Sequence, residues 1–302
     1  MGLKLDKLKK NPVQFLSLTG FSFQEFDELA TEFRIEWDQY SSHFTLEGKQ
    51  RQRIALPRKT NVLPGYQDKL LFILVYLKTF PLQELQAATF SMTQPQANFW
   101  IHLLSPILRK TLKRLKELPE RNNQKLELLL KDCPEVLLDG VERNIQRPLD
   151  SEQQKDCYSG KKTHSVKNNI LSLPDRRIMF LSQTYNGSVH DKRICDEQPL
   201  HLPQGITLWQ DTGFIGHCPD GVKIQMPKKK PKGKELTSEQ KQENREISKF
   251  RVLVEHAICG AKRCRIVKDR LRCHKAGFDD LIMELACGLH NFRITLKNNG
   301  HL

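Results

Sequence analysis

Apolar residues recur every three to four positions through the first third of the chain, then fall into short unbroken or alternating runs through much of the remainder. In residues 13–40, Phe26, Leu29 and Phe33 make one helical stripe. Ser22 and Glu25 are spaced as a capping box, with Phe21 and Phe26 at the staple positions, which marks the helix start. Residues 41–66 are polar and basic, contain Pro57, Pro64 and Gly65, and read as a linker. Helical periodicity returns from 67 to 115. DKLLFILVYLKTF predicts a buried helix ending before Pro81, and LQELQAATF a short second one. QPQANFWIHLLSPILRKTL predicts a third, with Thr93 as N-cap and Pro95 in its first turn. Helix, short helix, tight turn and polar-faced helix outline a helix-turn-helix in which Gln94, Gln96 and Asn98 face DNA; an ordinary three-helix bundle fits the same pattern.

After a basic stretch at 109–131 the period changes. EVLLDG (135–140) is a short apolar run ending in Asp139 and predicts a buried strand. KTHSVKNNILSL and RRIMFLSQTY predict two more strands joined by a Pro174-Asp175 turn, the second ending at Asn186-Gly187. Residues 191–200 suit a short helix, and GITLWQD (205–211) is another apolar run that ends in an aspartate. Residues 217–243 read as a loop carrying Lys223, Lys228, Lys229, Lys230, Lys232 and Lys234 with Pro227 and Pro231. A helix at 244–262, a strand at 265–272 (RIVKDRLR) and an amphipathic helix at 278–297 complete the pattern. Three strands, a short helix, a strand and then helices is the element order of a ribonuclease H-like α/β fold.

Along residues 244–262, Asn244, Ser248, Arg251, Glu255 and Lys262 fall within roughly 60° of arc at about 100° per residue. Ile247, Phe250, Leu253, Val254, Ala257, Ile258 and Ala261 fill the opposite side. A solvated face with an Arg251–Glu255 pair one turn apart accounts for that pattern on its own. The two strand-ending aspartates change the weighing, because carboxylates at the C-terminal ends of neighbouring strands open into one crevice. Glu255 on a packed helix closes it. Three carboxylates without a His or Cys cluster suit hard cations with oxygen ligands, Mg²⁺ or Mn²⁺. Two such ions about 4 Å apart clamp the attacking and leaving oxygens of an in-line displacement.

Charge points to the substrate. The 302 residues carry a net charge of +14 with pI near 9.4, which implies a polyanionic partner, nucleic acid in preference to an anionic membrane. No apolar run approaches eighteen residues, so no membrane span is expected, and MGLKLDKLKK lacks the apolar core of a signal peptide. A cytoplasmic, nucleoid-associated protein is expected, or a nuclear one in a eukaryotic host. The eight cysteines include no Cys-x2-Cys pair; Cys264, Cys273 and His274 match no zinc spacing, and the thiols read as packing residues. Lys161, Lys162 and the 217–243 lysines form a basic surface suited to phosphates, which gives affinity without sequence choice.

The segments LLDGVE at Asp139, YSGKKTHSVK at 158–167, NGSVHD at 186–191, QDTGF at 210–214, Arg251-x3-Glu255-x6-Lys262 and HNFRI at 290–294 resemble DDE transposases of the bacterial insertion-sequence-five and PIF/Harbinger-like group. The likeness runs from about 135 to 297, and the N-terminal helices resemble that group's helix-turn-helix. The resemblance implies Asp139, Asp211 and Glu255 as a triad binding two Mg²⁺ or Mn²⁺ ions. It implies Arg251, Lys262, Asn244 and Ser248 as contacts to the DNA end. Asp191 competes for the second place; Asp211 is preferred because it ends an apolar strand and opens Asp-x-Gly-aromatic, while Asp191 suits a turn or helix cap. By the same resemblance, Ser248 stands where one version of the family signature has tyrosine, and Phe214 where many members have it. The implied organisation is a helical DNA-binding part over 1–125 and a catalytic domain over 126–302. The implied activity is binding of terminal inverted repeats in double-stranded DNA, hydrolysis at the element ends and joining of 3′-hydroxyls to target DNA, with a homodimer or larger assembly on DNA. A domesticated DNA-binding protein without catalysis and a stand-alone metal-dependent endonuclease are the alternatives.

Overall fold

The computed structural model describes residues 2–53, 62–233, 235–273, 275–298 and 300. Part of the expected linker (54–61), Lys234 of the lysine-rich stretch and His274 of the zinc reading lie outside the described residues. The chain divides into two compact units: residues 1–118, 262–269 and 276–302 form one, and 119–261 with 270–275 the other.

The first unit is helical: α1 (Leu5–Leu8), α2 (Pro12–Thr19), α3 (Phe23–His43), α4 (Tyr66–Thr79), α5 (Gln83–Thr89) and α6 (Gln94–Arg114). The box before α3 is closed in both directions, Ser22 N–H donating to Glu25 and Glu25 N–H to the Ser22 hydroxyl. Thr93 and Gln96 form the same reciprocal pair before α6. Residues Lys69–Leu77 of α4 are all buried, so this helix is the axis of the bundle.

In the second unit come α7 (Leu126–Leu129), β1 (Glu135–Asn144), α8 (Ser151–Cys157), β2 (Ser165–Ser172), β3 (Ile178–Leu181), β4 (Tyr185–Asn186), α9 (Asp191–Glu197), β5 (Thr207–Gln210), β6 (Lys223–Gln225) and α10 (Ser238–Ala261). The sheet order is β3-β2-β1-β5-β6, with β4 beside β2; β1–β2 and β2–β3 are antiparallel, β1–β5 and β5–β6 parallel. Val136, Leu138 and Leu208 project to one face and enter a core with Leu171, Phe180, Cys195, Leu202 and Phe214.

Three expectations are corrected. The stretch 217–243 is not all loop: Lys223–Gln225 adds a strand to the sheet, and a Thr237–Gln240 capping box starts α10 at Ser238. RIVKDRLR is not a strand. Its first half is the short helix α11 (Arg265–Lys268), which buries Ile266 and Val267 and is closed by an Arg265–Asp269 pair at 2.9 Å; only Leu271 makes a bridge, to Ile145. Helix α10 ends at Ala261, so Lys262 stands in the following turn and not on the helical face.

The last helix, α12 (Phe278–Asn298), belongs to the helical unit because its side chains are spent there. Glu284 accepts from Arg109 at 2.5 and 2.9 Å, and the Asn291 amide donates to the Glu117 carbonyl at 2.9 Å. Gly288 is a close-approach position: a Cβ there would lie 2.9 Å from a Leu118 methyl and 3.0 Å from one of Leu112.

Candidate active site

The parallel register sets Asp139 beside Asp211. Leu138 pairs with Gln210 at the last rung between β1 and β5, and each aspartate is the next residue in its chain. Side chains alternate along a strand. Leu138 and Leu208 therefore face the apolar core, while Leu137, Trp209 and the two aspartates face the other side, where α10 packs. The Trp209 and Phe250 rings meet at 4.4 Å, and the Trp209 indole N–H donates to Glu135 at 3.1 Å, so Trp209 anchors the helix on the sheet. Ile247, Val254, Ala257, Ile258 and Ala261 form the buried stripe of α10.

Burial pushes the Asp139 carboxyl up to about 6, and the neighbouring Asp211 and Glu255 add to the shift. The Gly140 N–H, 2.8 Å from Asp139 Oδ1, and the Arg251 charge oppose it. Asp211 caps a single 3-10 turn at 212–214: its Oδ1 accepts from the Thr212 N–H at 2.6 Å and hydroxyl at 3.3 Å. Arg251 lies 3.4 Å from that same oxygen with its side chain only 13% exposed. Its buried Nε has no hydrogen-bond partner. Glu255, one turn further along α10, is exposed.

The donor set consists of carboxylates alone, which suits Mg²⁺ or Mn²⁺. The raised Asp139, which a cation would recharge, fits as well. Yet among the described residues no three acidic, histidine or cysteine side chains stand close enough to hold one ion as placed. Arg251, not a third carboxylate, is what meets Asp211 here.

The other expected site residues are distributed unevenly. Asn244 uses its amide at both ends on the Lys228 backbone, accepting at 2.8 Å and donating at 3.0 Å, so it pins the basic loop to α10. Ser248 is exposed. Lys228 and Lys230 are paired with Glu243 and Glu235, so part of the loop's charge is neutralised locally. Lys161 reaches Glu142 at 3.2 Å, and Lys162 occupies a left-handed turn position at φ 61°. In the helical unit the Gln94 amide donates to Gln83 of α5 at 2.6 Å, Gln83 donates to Asn98 at 3.0 Å, and Gln96 closes the capping box. Gln94 and Asn98 thus lock α5 to α6.

Asp191 lies on the opposite face of the sheet from α10. It opens α9, and its carboxylate rests against Gly140, whose missing side chain would project to the Leu138 face. Neither Arg251's grip on Asp211 nor this contact has a signature in sequence spacing, since both depend on which elements pack on which face.

A family model described as "DDE superfamily endonuclease" matches residues 138–291, and one described as "Helix-turn-helix of DDE superfamily endonuclease" matches 62–114. A protein of Microchaete diplosiphon, "Probable transposase for insertion sequence element IS702", is 31% identical over 163 residues, which cover 54% of this chain and 58% of that protein. The chain thus spans a little over half of that relative's length. No solved structure matches. Among the described residues no helix is long and apolar enough to cross a membrane.

Proposed function

The chain belongs to the DDE superfamily endonuclease family, and from that premise we propose that it is a DNA transposase of the insertion-sequence-five and PIF/Harbinger-like kind, built on a ribonuclease H-like sheet. The observation that carries the reading is the register. Two aspartates directly follow the last paired rung of neighbouring parallel strands, under a helix that presents Arg251 and Glu255 on the same face. The helix-turn-helix match and the +14 charge support double-stranded DNA as the partner, with the terminal inverted repeats read by the helical part. The similarity to a transposase supports transfer of the cut end in addition to hydrolysis.

Asp139, Asp211 and Glu255 would hold two Mg²⁺ or Mn²⁺ ions. When bound, such a pair activates the attacking oxygen and stabilises the leaving one in an in-line displacement. Asp139 must be ionised to take part, and Asp211 must release Arg251. A DNA phosphate is the natural acceptor for that guanidinium, which makes a bidentate match to phosphate oxygens. Lys161, Lys162 and Lys262 add backbone contacts, and Ser248 lies exposed on α10, the helix that bears Arg251. Joining two ends to one target requires at least two copies of the chain on DNA.

The test is a supercoiled plasmid carrying candidate terminal repeats, incubated with Mg²⁺. Wild type should nick and join. Asp139→Ala and Glu255→Gln should lose about 10³-fold in rate, the scale on which removing one electrostatic stabiliser of a transition state acts. Binding without metal-dependent nicking by wild type points to the non-catalytic binder. Cleavage without end joining in a strand-transfer assay points to the stand-alone nuclease.

A further inference from the structure

We propose that Asp191 is a positioning residue of the acidic site, a carboxylate buttress behind the sheet that sets the spacing of Asp139 and Asp211. The proposal rests on the reading of those two aspartates as metal ligands. It comes from how closely the Asp191 side chain is fitted to the backbone carrying them. A Cβ on Gly140 would lie 2.8 Å from Asp191 Cγ and 2.9 and 3.0 Å from its two oxygens, closer than real side chains approach. The carboxylate thus occupies the volume that any other residue at 140 would need. A Cβ on Gly213 would lie 3.6 Å from Asp191 Oδ2, an ordinary contact distance. One carboxylate therefore lies against the residue after Asp139 and faces the residue two after Asp211.

The buttress is itself held. Lys167 on β2 lies 3.5 Å from Asp191 Oδ1 and donates to the Val189 carbonyl at 3.3 Å. The Asn169 amide donates to the Asp191 carbonyl at 2.9 Å and to the buried Cys195 thiol at 3.2 Å. Asn169 is the direct cross-strand partner of Gly140, so the clamp acts at the level of the strand that bears Asp139. Asp191 and Lys167 are 29% and 18% exposed, which leaves neither group free to move without breaking these contacts. Because the carboxylate sits across the sheet from Arg251 and Glu255, it acts through the backbone and not as a ligand. That position gives a physical reason for a fourth acid, and for glycine at 140.

Two measurements test it. In EDTA, a thermal-melt cycle of Gly140→Ala, Asp191→Ala and the double variant reads the buttress without any metal. Gly140→Ala alone should lower Tm by several degrees, and Asp191→Ala should suppress most of that loss by vacating the space. Additive Tm changes overturn the proposal. Mn²⁺ titration then reads the consequence at the aspartates. Groups that orient metal ligands typically carry about 10–100-fold in affinity, so Asp191→Ala and Gly140→Ala should weaken Mn²⁺ by about 10-fold or more while circular dichroism stays native. Asp191→Asn, which keeps the shape, should stay within about threefold of wild type. Equal losses in Asp191→Asn and Asp191→Ala would make Asp191 a ligand and overturn the positioning role, as would unchanged affinity in Asp191→Ala. Absence of Mn²⁺ binding by wild type, or binding indifferent to Asp139→Ala, overturns the acidic-site reading itself. The melt cycle tells that failure apart from this one, because it reports the buttress alone.

Discussion

Lys69 in the helical unit and Asp139 in the sheet unit are both ionisable groups withdrawn from water, but their surroundings differ in kind. Lys69 is 1% exposed, and its ammonium donates to the carbonyls of Leu63, Pro64 and Gly65 at 2.5, 3.3 and 3.2 Å. The faces of Trp37 and Trp100 stand 4.6 and 5.7 Å away. Burial pushes Lys69 down to about 8, which leaves it protonated at neutral pH with its hydrogen-bonding capacity filled. Asp139 has one N–H bond, to the next residue, with two further carboxylates near it. The cation beside them leaves its own Nε unsatisfied. A buried charge whose partners are complete is a structural device; one surrounded by incomplete partners is poised for something the fold does not supply.

The largest effect that would break this contrast is at Lys69. Lys69→Met keeps the aliphatic stem and the packing on tryptophan but removes the ammonium's hydrogen bonds to the three carbonyls. Hydrogen bonds from a charged group contribute about 1.5–3 kcal/mol, so a loss of about 3 kcal/mol is expected by urea denaturation. Plasmid nicking per folded molecule should be unchanged. A neutral substitution would mean that the ammonium is tolerated and not needed.

Asp139 should behave in the opposite sense. With its folded value raised to about 6 from 3.8, the native state holds more protons than the unfolded chain between those limits. Its stability is then fullest below the lower value and declines as pH rises through the window. Asp139→Asn removes that decline while abolishing nicking. Allowing for partial exposure, it should gain about 1–2 kcal/mol at pH 7 and close to nothing near pH 4, read from urea melts at the two pH values without divalent ions. A loss at pH 7 would show that the carboxylate is stabilising, and the contrast with Lys69 would collapse.

How far the sequence carried depended on whether each feature is local. The capping box at Ser22, the N-cap at Thr93 and the apolar runs leading into Asp139 and Asp211 are written in contiguous residues; both caps form, and each aspartate directly follows the last rung of the β1–β5 pairing, although β1 itself runs on to Asn144. Lys223–Gln225 has three residues in a lysine- and proline-rich stretch, too few to show a period. In RIVKDRLR the Arg265–Asp269 spacing competed with an apolar alternation, and the helical pair won over the first half. Asp150 N-caps a helix at 151–157 that polar composition had concealed. The face bearing Arg251 and Glu255 was legible from helical spacing, whereas Arg251's partner was not: a guanidinium at a given angle on a helix meets phosphate or carboxylate according to what packs beneath it. Asn244, Gln94 and Asn98 teach the same lesson, since polar side chains that sequence assigns to DNA are engaged in holding loop to helix and helix to helix.

Arg251 offers the finest test of the incomplete site. Its pair with Asp211 spans 3.4 Å, and the aspartate side chain is 44% exposed, so the interaction is worth at most about 1 kcal/mol. Arg251→Met would free Asp211 for a cation without leaving a new charge buried. In the absence of DNA, Mn²⁺ should then bind up to about fivefold tighter, the equivalent of that energy, while Mg²⁺-dependent nicking falls because the guanidinium is missing from the phosphate. Tighter binding with weaker nicking is an unusual combination, and a purely structural role for Arg251 predicts loss of both. If Mn²⁺ affinity drops together with nicking, Arg251 supports the carboxylates instead of competing for them, and the arrangement around Asp139 is closer to complete than its unsatisfied atoms suggest.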